Sequence, residues 1–365
     1  MSDLFLPPWL RIAQAQWTAV ANTAVSQSIF TSATRTLARS GDHLKVSLTL
    51  NSAADGKYQS NPERATLRAF LARLRGQANR AYFYDKSYQP RGSFPSAELL
   101  DSTFQRAIGP WTALNSATLS CNDRVLRAKR TAAGASSGAQ ASAIVVSGGA
   151  YALRSFVGAN LNVGGSQSIA MSLTAGAAYT LAGTAGQGYR VLCGIATGGS
   201  GATADSSSIT ADSSTVTADG GSAIPVSAQI QIYDASTSGV ASGDYFDMPW
   251  VSLARCAQIH GAGQTGLTLQ LKSLPASSSA LLLPGDLVQL GSELNMVAAA
   301  LDSDGSGTGY LQLYRPFRSS PADSDPLIIS NPCGRFVATS NQNGWTDTPG
   351  AFSDVTLELE EALDQ

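Results

Sequence analysis

The last third of the chain is a ladder of short apolar runs broken at even intervals by turn residues. No other feature constrains the fold as much. LTLQLKSL, DLVQLG, LNMVAAAL, GYLQLYRP, LIISNP, GRFVATS and DVTLELEEAL follow one another from about Ala257 onward. Between them stand Pro284-Gly285-Asp286, Gly291-Ser292 and Ser303-Asp304-Gly305-Ser306-Gly307. Many short strands at regular spacing specify an antiparallel sandwich or barrel. In the last run Val355, Leu357 and Leu359 share one face, and Glu358 and Glu360 take the other, the period-2 pattern of a half-buried strand.

The stretch LLPGDLVQLGSELNMV (Leu282–Val297) poses the first functional question. Asp286 is either a catalytic carboxylate or a turn former. Pro284 fixes φ for a turn, Gly285 accepts a positive φ, and an Asp at this place bonds neighbouring backbone amides. The turn-forming role is the expected one.

The first 92 residues read the same way. HLKVSLTL (His43–Leu50) alternates, with Leu44, Val46, Leu48 and Leu50 on one side. SNPERATLRAFLARLRG then predicts a helix. Asn61 serves as N-cap, Pro62 fits the first helical position, and Glu63 suits the positive end. Leu67, Phe70, Leu71 and Leu74 make one apolar stripe, and Gly76 stands where the helix should stop. Arg64, Arg68 and Arg75 fall off that stripe, as a solvated face or as an anion-facing surface. An aromatic strand follows at Tyr82–Tyr84.

Residues 93 to about 256 differ in texture. They are rich in Ser, Ala, Gly and Thr, with short β-like runs such as AIVV (Ala143–Val146) and AQIQIYDA (Ala228–Ala235). ADSSSIT (Ala204–Thr210) is followed by ADSSTVT (Ala211–Thr217), a seven-residue repeat without heptad apolar pairs. One Ile or Val per repeat cannot order a core, so an exposed loop is expected. Neither flank is comfortable as a domain alone. The expected organisation is one discontinuous β-sandwich, residues 1–92 and 257–365, interrupted by a second β-sandwich, residues 93–256. Insertion succeeds at exposed loop tips, and PRGSFPS (Pro90–Ser96) has the composition of one.

Little in the chain points to catalysis. Charged residues are 14% and the net charge is -2, so no basic field suggests nucleic acid. No GxSxG elbow or Walker lysine stands out. GAGQTG (Gly261–Gly266) lacks GK[ST] and precedes a strand. The four cysteines, Cys121, Cys193, Cys256 and Cys333, form no CxxC pair, and the histidines are His43 and His260. No metal spacing results, and buried free thiols are expected, with one disulfide as the alternative. Carboxylate pairs for glycoside hydrolysis could be drawn from Glu358, Glu360 and Glu361 or from Asp244 and Asp247, but nothing singles them out. No enzyme activity, catalytic residue, metal or cofactor is expected. The N-terminus lacks a signal-peptide pattern and no run of about 18 apolar residues occurs. Synthesis in a cytoplasm as a soluble chain is expected.

The middle region does carry aromatics among Ser, Thr and Asn: Trp111, Tyr151, Phe156, Tyr179, Tyr189, Tyr233, Tyr245, Phe246 and Trp250. Most belong to a core. Aromatic faces with amide and hydroxyl partners are also what a sugar needs. Trp111, beside the polar stretch Asn115–Asn122, is the leading exposed candidate, and Tyr151, Tyr179 and Tyr189 complete the expected glycan-facing set.

Several stretches together resemble a known family. They are RTLARSGDHLKVSLTL, LRAFLARLRGQANRAYFYD, GAGQTGLTLQLKSLP, LLLPGDLVQLGSELNMVAAALDSDGSGTGYLQLYRPFR, NPCGRFVATSN and FSDVTLELEEAL. Their order is similar to that of siphophage distal tail proteins, the baseplate-hub ring of long non-contractile tails, over residues 1–92 and 257–365. Compact members would pass almost directly from Gly92 to the GAGQTG segment, and here a long segment intervenes. Its start, ELLDSTFQRAIGPWTALNSATLSCNDRVLRAKR, and its end, GDYFDMPWVSLARC, resemble the jelly-roll carbohydrate-binding modules inserted in larger members. The calcium sites of those modules have no residue-by-residue match in this chain.

The resemblance implies a virion tail-tip protein made in the host bacterial cytoplasm. A sandwich belt domain would close into a homo-oligomeric ring, six copies, by head-to-tail contacts. Tail tube and tail hub proteins would be its neighbours, and DNA would pass the lumen without specific binding. The insert would project outward onto host-surface polysaccharide, where several weak sites gain avidity. Two other readings stand beside this one: a purely structural insert, and a carbohydrate-active extracellular enzyme.

Overall fold

The computed structural model describes residues 3–6, 10, 12–27, 34–38, 42–52, 62–85, 88–95, 98–102, 104, 108–122, 125–132, 137–146, 149–157, 160–161, 169–175, 177–181, 188–195, 225–235, 241–341 and 353–362. The Ser/Asp repeat at 204–217 lies outside them. The fold is mainly β, with antiparallel sheets packed as sandwiches and one helix among the described residues.

Strands from both ends of the chain share one sheet. Its order is Asp3–Phe5, Arg80–Phe83, Gly334–Ala338, Ser353–Glu361, His43–Ser52, Ile12–Val20. Only the first pair is parallel. At its centre Leu50, Leu48 and Val46 lie opposite Val355, Leu357 and Leu359. Both strands alternate, so their apolar sides face the same way. That face is covered by the helix Pro62–Leu74, whose stripe Leu67, Phe70, Leu71 and Leu74 is buried against it. The helix stops where Arg75 and Gly76 take positive φ, 50° and 60°. A side chain at 76 would put its Cβ 2.6 Å from the Asn341 Cα, so glycine is required there for space as well as for φ.

The C-terminal ladder makes a second six-stranded sheet: Glu293–Met296, Leu287–Leu290, Pro326–Ile328, Ala257–Ile259, Thr268–Lys272, Gly309–Gln312. Its two end strands meet just beyond their termini. Val297 bridges Leu313, and Tyr314 N and Ala298 N donate to Met296 O and Gln312 O, each at 2.8 Å. The sheet is thereby closed into a small barrel around Val288, Leu269, Leu271, Leu311 and Leu327. Closure removes the free edges that short strands otherwise expose.

A buried charge cluster ties the barrel to the end-sharing sheet. Arg315 Nη2 donates to both oxygens of Glu361 at 2.6 Å, and Arg315 Nη1 reaches Glu293 at 3.4 Å. Leu44 N and Leu294 N also donate to Glu361, each at 3.3 Å. Such a cluster contributes little net stability once desolvation is counted, yet removing one member leaves a charge uncompensated. Through Leu44 N and Leu294 N, one carboxylate bonds a strand of each sheet.

Among the described residues the middle segment builds three sheets around its own core. An inner sheet runs Gly188–Ile195, Ala150–Val157, Trp250–Arg255, Glu98–Ser102. An outer sheet runs Ala177–Leu181, Ile169–Ala175, Pro225–Asp234, Ser137–Val146, Thr112–Leu114. A lateral sheet runs Asn160–Leu161, Tyr245–Met248, Val125–Arg130, Ala117–Asn122. Leu153 and Leu253 of the inner sheet, Ile230 and Ile232 of the outer, and Leu126 and Phe246 of the lateral meet in this core. The opposite face of the inner sheet is buried too, against the flanks. Phe156 and Trp250 cluster with Phe5, Tyr82, Tyr84 and Cys333.

Candidate functional site

The aromatic candidates fare unevenly. Trp111 was expected exposed; it is 1% exposed and sits in the segment's core beside Phe104, ring centroids 6.3 Å apart. The chain turns at Gly109, φ 61°, and Trp111 N donates to Ile108 O, so the polar residues that follow do not share its direction. Tyr151 is 3% exposed and packs in the same core. Neither ring can face a sugar. Tyr179 and Tyr189 lie in strands, in register with Leu173 and Phe156; their side chains are outside the described residues.

A different surface has the chemistry those four were meant to supply. In AQIQIYD, Ala228, Ile230 and Ile232 point into the core. Strand alternation turns Gln229, Gln231 and Tyr233 to the other face of the outer sheet. The register sets Gln140 beside Gln231, Ser142 beside Gln229, and Ser172 on the far side of Gln231. Gln229 and Gln231 both donate to Gln140 Oε1, at 3.2 and 3.4 Å. Ser172 Oγ lies 3.3 Å from Gln231 Oε1. These cross-strand bonds hold the amides in fixed directions while Gln229 stays exposed and Gln140 half-exposed. Among the described residues no partner meets the Gln140 NH2. None of the described positions on this face is charged.

Tyr233 ends the row. Its register neighbours are Gly138 and Ala170, both small. A Cβ at Gly138 would lie 2.6 Å from the Tyr233 Cα, so glycine permits the close strand approach, and no bulky neighbour from either adjacent strand covers the half-buried tyrosine. An apolar ring beside fixed amides offers the kinds of group that a hydroxyl-rich ligand can contact. The alternation of Gln and Ile marks this strand as half-buried, and register is what brings Gln140 and Ser172 beside it.

The charged candidates have structural partners. Asp286 is 1% exposed. Its carboxylate accepts from Leu283 N at 2.8 Å and Arg91 N at 3.1 Å, and Arg91 Nε stands 3.6 Å away. The turn-forming role is thus observed, with Gly285 at φ 91°, and the same side chain fastens the segment leading out of the flank. Tyr88 completes that fastening: its hydroxyl accepts from Leu287 N at 2.7 Å, and burial pushes its pKa up.

Asp247 binds Arg127 through two bonds of 2.7 Å, and the guanidinium lies 3.9 Å from the Tyr245 ring centroid. The hydrogen bond to Asp247 raises the Arg127 pKa. Asp244 is buried and accepts from Ala241 N at 2.8 Å. Glu360 pairs with Lys45 at 3.2 Å. Glu361 follows Leu359 on the inward face of its strand and meets Arg315 there. In the GAGQTG turn, Gly261 N donates to Asp323 Oδ1 at 2.7 Å, and Lys272 holds the same oxygen at 2.7 Å. The lysine's hydrogen bond, followed by that of Gly261, holds the Asp323 pKa well below the carboxylate range. That backbone donor already has an anion from its own chain. Cys121, Cys256 and Cys333 are free thiols, and burial pushes the Cys333 thiol up.

No family model and no curated protein matches this chain. Among solved structures it is similar to the CBM22-1 xylan-binding domain from Paenibacillus barcinonensis Xyn10C. The identity is 11%, the match covers 45% of this chain and 97% of that one, and the TM-score is 0.30. A likeness at that score carries no weight for fold or function.

Proposed function

We propose that this protein is a structural component of a siphophage tail tip, a ring built by residues 1–92 and 257–365, and that the inserted segment binds host-surface glycans. The glycan face is the outer sheet, with Gln140, Gln229 and Gln231 as hydrogen-bonding groups and Tyr233 as the apolar platform; the buried Ser172 serves to orient Gln231. The observation carrying the binding role is that uncharged row of fixed amides. It suits a neutral ligand rich in hydroxyls, whose donors and acceptors a carboxylate or lysine would match less evenly. The shared sheet of the two chain ends supports treating the flanks as one interrupted unit. Phe94 extends that unit slightly, because it packs inside the barrel core. Tail tube protein, hub protein and further copies of the chain are the partners of this reading, and DNA is a passing cargo.

A glycan array with the full chain and a Gln140→Ala/Gln231→Ala double variant tests the binding role. Selective signals lost in the variant support it; identical blank profiles leave the insert as a purely structural arm. Trp111→Ala is unsuited to this test, since it would remove core packing. Negative-stain images of the purified protein test the ring. A stable monomer at high concentration argues against it.

A further inference from the structure

We propose that the inserted segment does not swing on its tethers but forms one rigid body with the flanks, pinned by Arg154 and Trp250. Inserted domains ordinarily move relative to their hosts unless the contact is large and apolar. Here the contact is apolar and both crossings are fastened. At the entry, Ser93 N and Phe94 N donate to Ala280 O and Leu281 O at 2.9 and 3.0 Å. At the exit there is no linker. The strand Trp250–Arg255 passes through Cys256 alone into the barrel strand Ala257–Ile259, and Cys256 N donates to Ala150 O at 3.0 Å.

Between the crossings lies Arg154, 0% exposed. Its Nη1 donates to Asn331 O at 2.9 Å and its Nη2 to Ser252 Oγ at 2.8 Å. Its guanidinium carbon stands 5.1 Å from the Trp250 ring centroid. Asn331 begins the turn Asn331-Pro332-Cys333, between the barrel strand Pro326–Ile328 and Gly334–Ala338 of the end-sharing sheet. One guanidinium therefore joins the insert to the place where barrel and sheet meet. Trp250 stacks on Phe5 from the N-terminal strand, centroids 5.2 Å apart. If the insert pivoted, a buried cation and this aromatic cluster would be exposed together, so partial opening is disfavoured.

Two native thiols report on the contact. Cys333 lies in the aromatic cluster and Cys256 in the patch with Ala150, Ala152 and Ile328. The test labels the full-length protein with a thiol reagent across a denaturant series, read peptide by peptide, with half-buried Cys121 as reference. The expected result is that Cys256 and Cys333 react together, and only along the global unfolding curve followed by tryptophan fluorescence. Labelling of either at denaturant well below that curve overturns rigid docking. In water, Arg154→Met and Trp250→Ala should each raise the labelling rate of both thiols at least tenfold. Variants that fold and keep wild-type protection overturn the assignment of those two residues. The outcome does not depend on whether the outer sheet binds sugar.

Discussion

Two sheets of the inserted segment, one of four strands and one of five, differ in what lies beyond them. The inner sheet is covered on both sides, and its strand AYALRSFV is buried at every position. In the outer sheet AQIQIYD alternates between core and surface, while the neighbouring strand Ile169–Ala175 is buried from Ile169 to Leu173. Burial on both faces removes the period-2 signature and leaves a run that could be read several ways. Burial on one face preserves it, and the uncovered positions are free to carry polar groups with a task. The contrast separates a sheet that joins units from the sheet proposed to meet a ligand.

The contrast is broken most forcefully at Trp250. Truncation to alanine removes a fully buried ring from the joining face, and a loss of about 3–5 kcal/mol is expected in equilibrium denaturation. A loss below about 1 kcal/mol would mean that the joining face is not packed in solution. Arg154→Met comes next. Methionine keeps part of the volume, but Asn331 O and Ser252 Oγ lose a buried donor. The expected cost is about 1–3 kcal/mol, from the same measurement. A variant more stable than wild type would show that desolvation of the guanidinium outweighs its bonds.

The outer face should behave in the opposite way. Gln140→Ala removes the shared acceptor of Gln229 and Gln231 from a partly exposed site. Stability should stay within about 0.5 kcal/mol. Affinity for a neutral oligosaccharide found on the array should fall about tenfold, the effect of losing roughly 1.4 kcal/mol, by calorimetric titration. A stability loss like that of Trp250→Ala, or unchanged affinity, would place the sugar elsewhere.

Much of the frame was legible in the sequence because half-buried elements advertise their period. His43–Leu50, the helix after Asn61 and the strand of Val355, Leu357 and Leu359 all lie where their patterns put them. Three things were hidden, each for a physical reason. Trp111 turns inward because of a positive-φ glycine two residues before it, a change of direction that local polarity does not encode. Glu361 continues the alternation of Val355, Leu357 and Leu359 onto the buried face, but the partner that makes a carboxylate tolerable there, Arg315, is distant in sequence. The amide row is assembled from three strands, so no single run of residues spells it. Tyr233 was one aromatic among nine, and only register shows it beside Gln231, Gln140 and two small neighbours.

The smallest expected effect is also the sharpest check on the comparison. Ile144 lies on the outer face and is 69% exposed. Replacing it with serine removes apolar surface that water already touches, so stability should change by less than about 0.5 kcal/mol, by thermal or chemical denaturation. A loss above about 1 kcal/mol would require something to cover that side chain in solution. Since a buried isoleucine contributes roughly 1.5–3 kcal/mol, the size of the loss would report how complete the cover is. Repeating the measurement over a hundredfold range of protein concentration then identifies the cover. A cost that grows with concentration comes from a second copy of the chain, whereas a constant cost comes from the chain itself. In either case the outer sheet would be another joining sheet, and the amide row would hold protein rather than sugar.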